Sequence, residues 1–238
     1  MKISVLLISY NGARYIKDQL RSILDEISAE DEIIVSDDGS TDGTVEIVSA
    51  CAQSYPNIKL VAGPHNGIAS NFSNAYRHSD GDILLFSDQD DEWLPGKVSR
   101  VKYYFASHPE HQVVMHDAYV CNGNNEIIGE DHTIFEKRNA GHGVLRNMLK
   151  STYYGCCMAF RREFLNRYMP LPAEIIAYDQ FLGLCAENQR CVGFLHDKLL
   201  KHRIHGSNQS QKQSLQKKIL FHMTMATQYR KYKNGLER

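Results

Sequence analysis

The segment FSDQDDEW, which begins at Phe86, places acidic residues at four of five successive positions directly after an apolar run. Asp88 and Asp90 alternate within it. On extended backbone, residues two apart point to the same side, so these two carboxylates would lie side by side. Such a pair suits a hard divalent cation, Mg²⁺ or Mn²⁺, that substrate phosphates also bind. A solvated turn is the ordinary alternative, because an Asp-x-Asp triplet alone has low specificity.

The other two acids of the segment, Asp91 and Glu92, come shortly before Pro95, a residue that suits the first turn of a helix. The helix dipole favours acids there, so we expect Asp91 and Glu92 at a helix N-terminus. Trp93, the single tryptophan, is expected in the core, with a sugar-stacking platform as the alternative.

A second polar segment, VSDDGSTDGT, begins at Val35 and carries Asp37 and Asp38 at the end of an apolar run. A turn from strand to helix accounts for Gly39 and Asp42, which are typical turn residues. It does not explain two adjacent carboxylates, which could accept hydrogen bonds from a ribose or a base edge. The absence of a glycine-rich dinucleotide or P-loop motif makes those two nucleotide-binding modes poor candidates.

Two further candidates lie in the second half of the chain. Asp179 in AYDQFLGL is either a cap favoured by the helix dipole or a general base. The segment HRIHGSNQS offers His202, Arg203 and His205 in a polar loop. A lone histidine is usually structural, but these histidines come with a cation and with hydroxyl groups.

Strands and helices alternate through the first half and would position these residues. Short connections between them predict a parallel sheet covered on both faces, and ligands bind beyond the carboxyl ends of such strands. The polar segments all follow strands, so they should meet on one rim. The predicted strands are Ile3–Ser9, Glu32–Ser36, Ile58–Ala62 and Ile83–Phe86, and the predicted helices are Ala13–Ile27, Val45–Ala52 and one from Asn66-Gly67 to about Arg77.

After Pro109 the pattern becomes mixed and predicts a smaller second lobe on the same rim. A hairpin and a pair of strands are its main features, joined by two helices and one further strand. The hairpin is Gln112–Val120 with Glu126–Gly129, the paired strands are Cys191–Leu195 and Leu199–His205, the helices are Leu145–Leu149 and Ile175–Glu187, and the single strand is Cys156–Phe160.

Composition excludes several classes of protein. The 238 residues are 42% hydrophobic with a net charge of −1, which fits a globular body and not a nucleic-acid binder. The six cysteines lack C-x-x-C spacing, which argues against a cysteine zinc site or a redox pair and favours reduced thiols. No apolar run reaches membrane-spanning length and no signal peptide is evident, so we expect a cytoplasmic protein.

The tail from Gln211 onward is basic, with seven Lys or Arg against one acid. A helix there would place Ile219, Leu220, Met223, Ala226 and Tyr229 near one face. The two interpretations are a helix packed on the body and a peripheral contact with an anionic membrane at the inner face of the cell membrane.

Together these segments resemble the inverting family 2 glycosyltransferases of GT-A fold, and SDQDDEW resembles the branch that builds bacterial surface polysaccharides, which includes many rhamnosyltransferases. The resemblance covers about the first 210 residues in family order. It is carried by VLLISYNGARYIKDQLRSIL, IIVSDDGSTDGT, NGIASNF, DGDILLFSDQDDEWLPGK, YGCCMAFRREFL, YDQFL and RIHGSNQS. It implies an α/β fold: a mainly parallel, Rossmann-like sheet flanked by helices, a smaller mixed lobe on the acceptor side and a C-terminal helix.

The resemblance also implies a role for each matching residue. Ser9, Tyr10 and Asn11 match the donor-nucleotide loop, Asp38 matches the acid at the base or ribose, and Asp88 lies nearer the ribose. Asp90 is implied as a ligand of Mn²⁺ or Mg²⁺, His205 as a residue reaching the metal or diphosphate, and Asp179 as the general base. Many relatives have Glu-Asp at the base, whereas this chain has Tyr178-Asp179, so Asp179 alone must serve.

The implied activity is transfer of a sugar from a UDP- or dTDP-sugar to a hydroxyl of a glycan or lipid-linked glycan acceptor. Residues 1–110 would bind the nucleotide sugar, 111–210 would bind the acceptor and carry the base, and 211–238 would form the basic amphipathic helix. A sugar-phosphate nucleotidyltransferase is the alternative enzyme, but it would need a more glycine-rich loop after the first strand. An inactive sugar-nucleotide-binding module is the third reading, disfavoured because all candidate acids are present.

Overall fold

A computed structural model describes residues 1–129, 133–204 and 215–236. Eight strands form one sheet that runs through both predicted halves. They are β1 (Ile3–Ser9), β2 (Glu32–Asp37), β3 (Ile58–Ala62), β4 (Ile83–Asp88), β5 (Glu92–Trp93), β6 (Val113–Cys121), β7 (Met158–Arg161) and β8 (Val192–Arg203), in the order β3-β2-β1-β4-β7-β6-β8-β5.

The first four strands run parallel, with β1 between β2 and β4. Every residue of β1 and of β2 is buried, because helices cover both faces of this part of the sheet. Strand β7 is antiparallel to both β4 and β6, whereas β8 is parallel to β6. The predicted α/β class and the mainly parallel sheet with a mixed second part are therefore confirmed.

Nine α-helices connect or flank the described strands. The first has its buried side at Ile16, Leu20 and Ile23, the spacing expected of a helix with one apolar face. The helices are α1 (Ile16–Leu24), α2 (Thr44–Ser54), α3 (Ile68–Arg77), α4 (Lys97–Ser107), α5 (Ile134–Arg138), α6 (Val144–Leu149), α7 (Arg162–Leu165), α8 (Tyr178–Asn188) and α9 (Leu215–Tyr232), with a 3₁₀ turn at Gly155–Cys157.

The structure corrects the second half in three places. The predicted paired strands 191–195 and 199–205 are one strand, β8, whose first part and last part both pair with β6. The stretch between them, His196-Asp197-Lys198, contains neither Gly nor Pro, and the chain continues through an irregular register without reversing direction. Residues 126–129 form only a bridge between Ile127 and Cys121, not a strand. Helix α8 begins at Tyr178, because Ile175 closes a turn on Pro172.

Helix α9 packs on the body through a face that the sequence analysis did not identify. Met225 is fully buried and Gln228 nearly so, whereas Ile219, Leu220 and Met223 are 53–64% exposed. Gln228 donates to the carbonyl of Glu174. The helix is thus attached to the body and still presents apolar side chains to solvent. Within the described residues no helix is both long and apolar enough to cross a membrane.

Candidate functional site

The carboxyl ends of β1, β2 and β4 lie side by side. Ser9 is opposite Asp37 in the sheet, and Ile8 is opposite Asp88. The three polar segments that the sequence placed on one rim therefore do meet there.

Asp37 holds the turn that follows β2. Its carboxylate accepts hydrogen bonds from the hydroxyl of Ser9 (2.7 Å), the backbone N–H of Ser40 (2.7 Å) and the hydroxyl of Ser40 (2.6 Å). The hydroxyl of Ser9, predicted to contact a donor, is thus already bound to Asp37. Asp37 itself is 5% exposed and has a structural task.

The neighbouring carboxylate, Asp38, stands on the rim and orients the loop before α3. It accepts from the backbone N–H of His65 at 2.7 Å and of Gly67 at 3.2 Å. The adjacent pair Asp37 and Asp38 thus divides into one acid that closes a turn and one that is only partly buried at the binding edge.

The loop after β1 is joined to the Asp-x-Asp segment by the middle residue of that triplet. Gln89 accepts from the N–H of Tyr10 and donates to its carbonyl, both at 2.9 Å. A Cβ at Gly12 would overlap the Gln89 amide, so the glycine permits this contact. The ring of Tyr10 is 59% exposed, and Asn11 accepts from the N–H of Thr41 at 2.9 Å. Sequence reasoning missed Gln89, because its partner lies far away in the chain.

The prediction that Asp91 and Glu92 lie at a helix N-terminus is wrong. Glu92 belongs to β5 and accepts from Lys201 at 3.0 Å. Asp91 is 1% exposed and accepts from His202 Nδ1 at 3.0 Å and from the backbone N–H of Arg203 at 3.1 Å. Both acids pair with residues of β8, and α4 begins only afterwards at Lys97. Trp93 is 3% exposed, so the expectation that it lies in the core is confirmed.

The pKa values of Asp91 and of its neighbour Asp88 are shifted in opposite directions. Burial alone would raise the pKa of Asp91, but the His202 imidazolium and its hydrogen bond hold that pKa below the usual range. Burial works against the charged form of His202, yet Asp91 raises the pKa of His202 to about 9. The pair is therefore ionised near neutral pH.

Burial raises the pKa of Asp88 well above its usual range, and the charges of Asp91 and Asp90 raise it further. At Asp88, the negative charges of the neighbouring acids outweigh the opposing positive charge of His202. Two cations are built in close by. Arg203 Nε donates to the carbonyl of Asp90 at 2.9 Å, and the buried Lys97 ammonium donates to the carbonyl of Cys156 at 3.1 Å.

Asp179 lies in the first turn of α8, where its Oδ1 accepts from the N–H of Gln180 at 2.7 Å. Burial raises its pKa, although backbone N–H groups and Arg138 oppose that shift. The charge of Asp179 also contributes to the raised pKa of Asp88, and the ring of Tyr178, the residue before Asp179, packs on Phe86, two residues before Asp88. The structure therefore brings the candidate base to the candidate donor site.

Residues beside Asp179 fix its position, and no sequence pattern points to them. The ring of Tyr178 packs on Phe72 and Phe86, with centroids 4.7 and 5.7 Å away. A Cβ at Gly155 would overlap the Tyr178 hydroxyl, so only glycine leaves room. Arg138 donates to the hydroxyl of Tyr154 through Nη2 at 2.6 Å and Nε at 3.1 Å.

His205 lies outside the described residues, so its predicted contact with the metal or diphosphate stays a prediction. The remaining candidates are all described. Ser9, Asp88 and Asp179 meet at the rim as stated above, with Tyr10, Asn11, Asp38 and Asp90 in the loops around it.

Comparison with known proteins shows the family to which this chain belongs. The glycosyl transferase family 2 profile matches residues 4–169, well over half of the chain. The chain belongs to glycosyl transferase family 2. The dTDP-rhamnosyl transferase RfbG of Shigella flexneri is 36% identical over 218 residues, which cover 85% of this chain and 73% of RfbG. The chain spans about half to two thirds of the length of other curated relatives that it matches.

Solved structures show the fold of this family member. TarS of S. aureus, in complex with UDP-GlcNAc, superposes with a TM-score of 0.73 at 20% identity over 96% of this chain and 66% of that one. The mannosyltransferase PcManGT of Pyrobaculum calidifontis, in complex with GDP-Man and Mn²⁺, gives a TM-score of 0.60 at 21% identity over 82% of this chain and 54% of that one. The fold is the GT-A fold that the sequence led us to expect.

Proposed function

We propose that this family 2 chain is an inverting, metal-dependent glycosyltransferase that moves a sugar from a nucleotide diphosphate to a hydroxyl of a glycan acceptor. The proposed setting is bacterial surface polysaccharide synthesis, in line with a relative from Bacillus subtilis, the putative teichuronic acid biosynthesis glycosyltransferase TuaG. The observation that carries the proposal is the rim where β1, β2 and β4 end, at which burial, and then the charges of neighbouring acids including Asp179, raise the pKa of Asp88.

A divalent cation fits this rim chemically. Burial, and then the charges of Asp91 and Asp90, disfavour the ionised form of Asp88, and a hard cation with oxygen ligands would favour it. Asp90 and His205 are the residues proposed to hold Mn²⁺ or Mg²⁺, with Asp88 directed toward the ribose. When bound, the cation would offset the charge that develops on the leaving diphosphate.

Asp179 is proposed as the general base. A carboxylate whose pKa is raised toward neutrality accepts a proton more readily in the transition state. The acceptor hydroxyl loses its proton to Asp179 while its oxygen bonds to the anomeric carbon, and the bond to the diphosphate breaks on the opposite face. This single displacement inverts the anomeric configuration. It needs one carboxylate base and a good leaving group, unlike a glycosidase, which uses two carboxyl groups.

The loops around the rim are proposed to bind the donor. Tyr10 and Asn11 border the nucleotide side, and Asp38 would accept from its ribose or base. We propose a UDP- or dTDP-sugar as the donor, because relatives and structural neighbours carry these nucleotides in their names. Ser9 would act indirectly, since its hydroxyl bonds to Asp37.

The C-terminal helix is proposed to touch the membrane that would hold a lipid-linked acceptor. Its exposed apolar residues Ile219, Leu220 and Met223 follow Lys217 and Lys218, which are also exposed. Each basic residue near an anionic surface contributes about 1 kcal/mol. Because the helix is also anchored on the body through Met225, such a contact would fix the orientation of the whole protein at the surface.

The decisive experiment mixes the protein with UDP-, dTDP- and GDP-sugars, with and without Mn²⁺, and measures nucleoside diphosphate release. Slow metal-dependent release that accelerates with a glycan acceptor supports the proposal. A product with unchanged anomeric configuration, read by NMR, would contradict inversion. Exchange of pyrophosphate into the donor, without diphosphate release, would indicate a nucleotidyltransferase instead.

A further inference from the structure

Three potential metal ligands meet on the turn that joins α4 to β6. The turn reads His-Pro-Glu-His, and its ligands are His108, Glu110 and His111. Glu110 Oε1 lies 3.3 Å from His108 Nδ1 and 3.9 Å from His111 Nε2, and all three ligand atoms lie within 4.8 Å of one another. The ordinary interpretation of this arrangement is a surface ion pair in which one carboxylate lies between two imidazoles.

The distances also define a coordination site. Three atoms with these separations have a common centre at most about 2.4 Å from each of them, close to the 2.0–2.2 Å of zinc bonds to imidazole and carboxylate. A shift of a few tenths of an ångström closes the difference. Two imidazoles and one carboxylate suit zinc better than Mg²⁺, which prefers oxygen ligands alone. We propose that His108, Glu110 and His111 bind a zinc-type divalent ion.

The surroundings of His111 favour coordination over a chance surface pair. The Tyr104 hydroxyl lies 2.9 Å from His111 Nδ1. With Nδ1–H donating to that hydroxyl, Nε2 keeps its lone pair toward Glu110, the way a second partner orients ligand histidines. A Cβ at Gly193 on β8 would overlap the Tyr104 hydroxyl, so the glycine makes room for this pair.

This site is separate from the donor rim. His111 comes just before β6, whose last residue, Cys121, pairs with Arg203 beside the acidic segment. From Val113 to Cys121 the strand extends about 26 Å at roughly 3.3 Å per residue. The ion would hold the end of α4 against the starts of β6 and β8, and so it is a structural site that does not depend on the proposed transferase activity.

The proposal has a practical consequence for metal assays. A chelator would remove an ion from the turn as well as from the rim, so loss of activity in EDTA alone would not assign the catalytic ion. The sequence analysis argued against zinc only from the cysteine spacing, and the ligands here are histidines and a glutamate.

The test uses the full chain stripped of metal, carrying Asp90→Asn to disable the rim. Titration with Zn²⁺ by calorimetry, and with Co²⁺ by visible absorption, should show one site, with the strong absorption of four-coordinate cobalt. His108→Ala and Glu110→Gln, both at well-exposed positions, should each weaken binding at least tenfold. His78→Ala, another exposed histidine outside the turn, is the matched control and should bind as before.

The thermal midpoint supplies a second readout. Zn²⁺ should raise the midpoint of the Asp90→Asn protein and leave that of the added His108→Ala variant unchanged. The proposal fails if no saturable binding occurs, or if His108→Ala binds zinc as tightly as its parent. It also fails if the wild-type protein binds one zinc and Asp90→Asn abolishes that binding, because the ion would then belong to the rim.

Discussion

Asp88 and Asp91 are the same residue type three positions apart, and the fold treats them in opposite ways. Asp91 is enclosed by His202 and the backbone of Arg203, and its pKa is held low. Asp88 faces other acids, and its pKa is raised. Asp91 therefore stabilises the folded protein, whereas Asp88 carries a charge that folding alone does not favour. The comparison separates the part of the acidic segment that builds the rim from the part that we propose binds a ligand.

The largest expected effect is the loss of activity when Asp90, the proposed metal ligand, is replaced. Asp90→Asn should lower kcat by about a thousandfold or more and leave the fold intact, because a metal ligand stabilises the transition state and not the native state. Donor turnover and circular dichroism measure the two quantities. Full activity of the wild-type protein in excess EDTA would remove the metal from the mechanism.

The base provides the second test. Asp179→Asn should lower kcat by about a hundred- to ten-thousandfold, the usual range for general bases, while the donor Kd stays the same. Calorimetric donor binding and single-turnover transfer separate these effects. Glu163→Gln, an exposed acid on α7, is the matched control. Transfer at the wild-type rate by Asp179→Asn would mean that the base lies elsewhere.

Replacing each of the two contrasted aspartates by asparagine tests the comparison directly. Asp91→Asn should lower the free energy of unfolding by about 3–5 kcal/mol, because it leaves a buried imidazolium without its counter-charge. Asp88→Asn should leave that free energy unchanged or raise it, since it removes repulsion. Urea unfolding of both variants measures the difference. Equal losses of stability would contradict the division of the segment.

The pH dependence of stability sharpens the same contrast. The folded pKa of His202, about 9, lies above its unfolded value near 6.5, so its contribution is complete below about pH 6.5 and is lost as the pH rises through 9. At about 1.4 kcal/mol per pKa unit, the loss is about 3.5 kcal/mol. His202→Gln should lack this decline, which urea unfolding between pH 6 and 9.5 would reveal. Parallel curves for both proteins would show that His202 is not the group responsible.

The smallest expected effect concerns two methionines of α9 that differ in burial. Met223 on α9 is 64% exposed, and Met225 is fully buried. The combined change Ile219→Ser, Leu220→Ser and Met223→Ser should weaken binding to anionic vesicles severalfold, because buried apolar area contributes to membrane affinity, and leave the thermal midpoint unchanged. Met225→Ser should instead lower the midpoint. Sedimentation with vesicles that the triple change does not alter would favour a helix that is only packed.

Local sequence was enough for the parallel half of the molecule. Buried strands such as Ile3–Ser9 read as continuous apolar runs, and the turn residues after them mark where each strand ends. The family resemblance then predicted which residues at these strand ends have a function.

Local sequence failed where a partner lies far away in the chain. Asp91 looked like a helix cap, because nothing near it reveals that β8 brings His202 to its side. Gln89 and Gly155 are likewise explained only by Tyr10 and Tyr178, which contact them across the fold. The second half of the chain depends mostly on such long-range contacts, which explains why β8 was predicted as two strands.

The irregular pairing of β8 decides which residues reach the acidic segment. Opposite β6, the register moves from His116 with Leu195 to Asp117 with Lys198, and then to Tyr119 with Lys201. Without these interruptions the ladder would continue evenly and bring Leu200 opposite Cys121, where Arg203 now stands. The irregular stretch thus absorbs three residues of β8 and brings His202 and Arg203 opposite the end of β6, where an even ladder would place Leu199 and Leu200. The irregularity therefore selects the side chains that reach Asp91, and a change that evens out the ladder without removing residues should take His202 away from it.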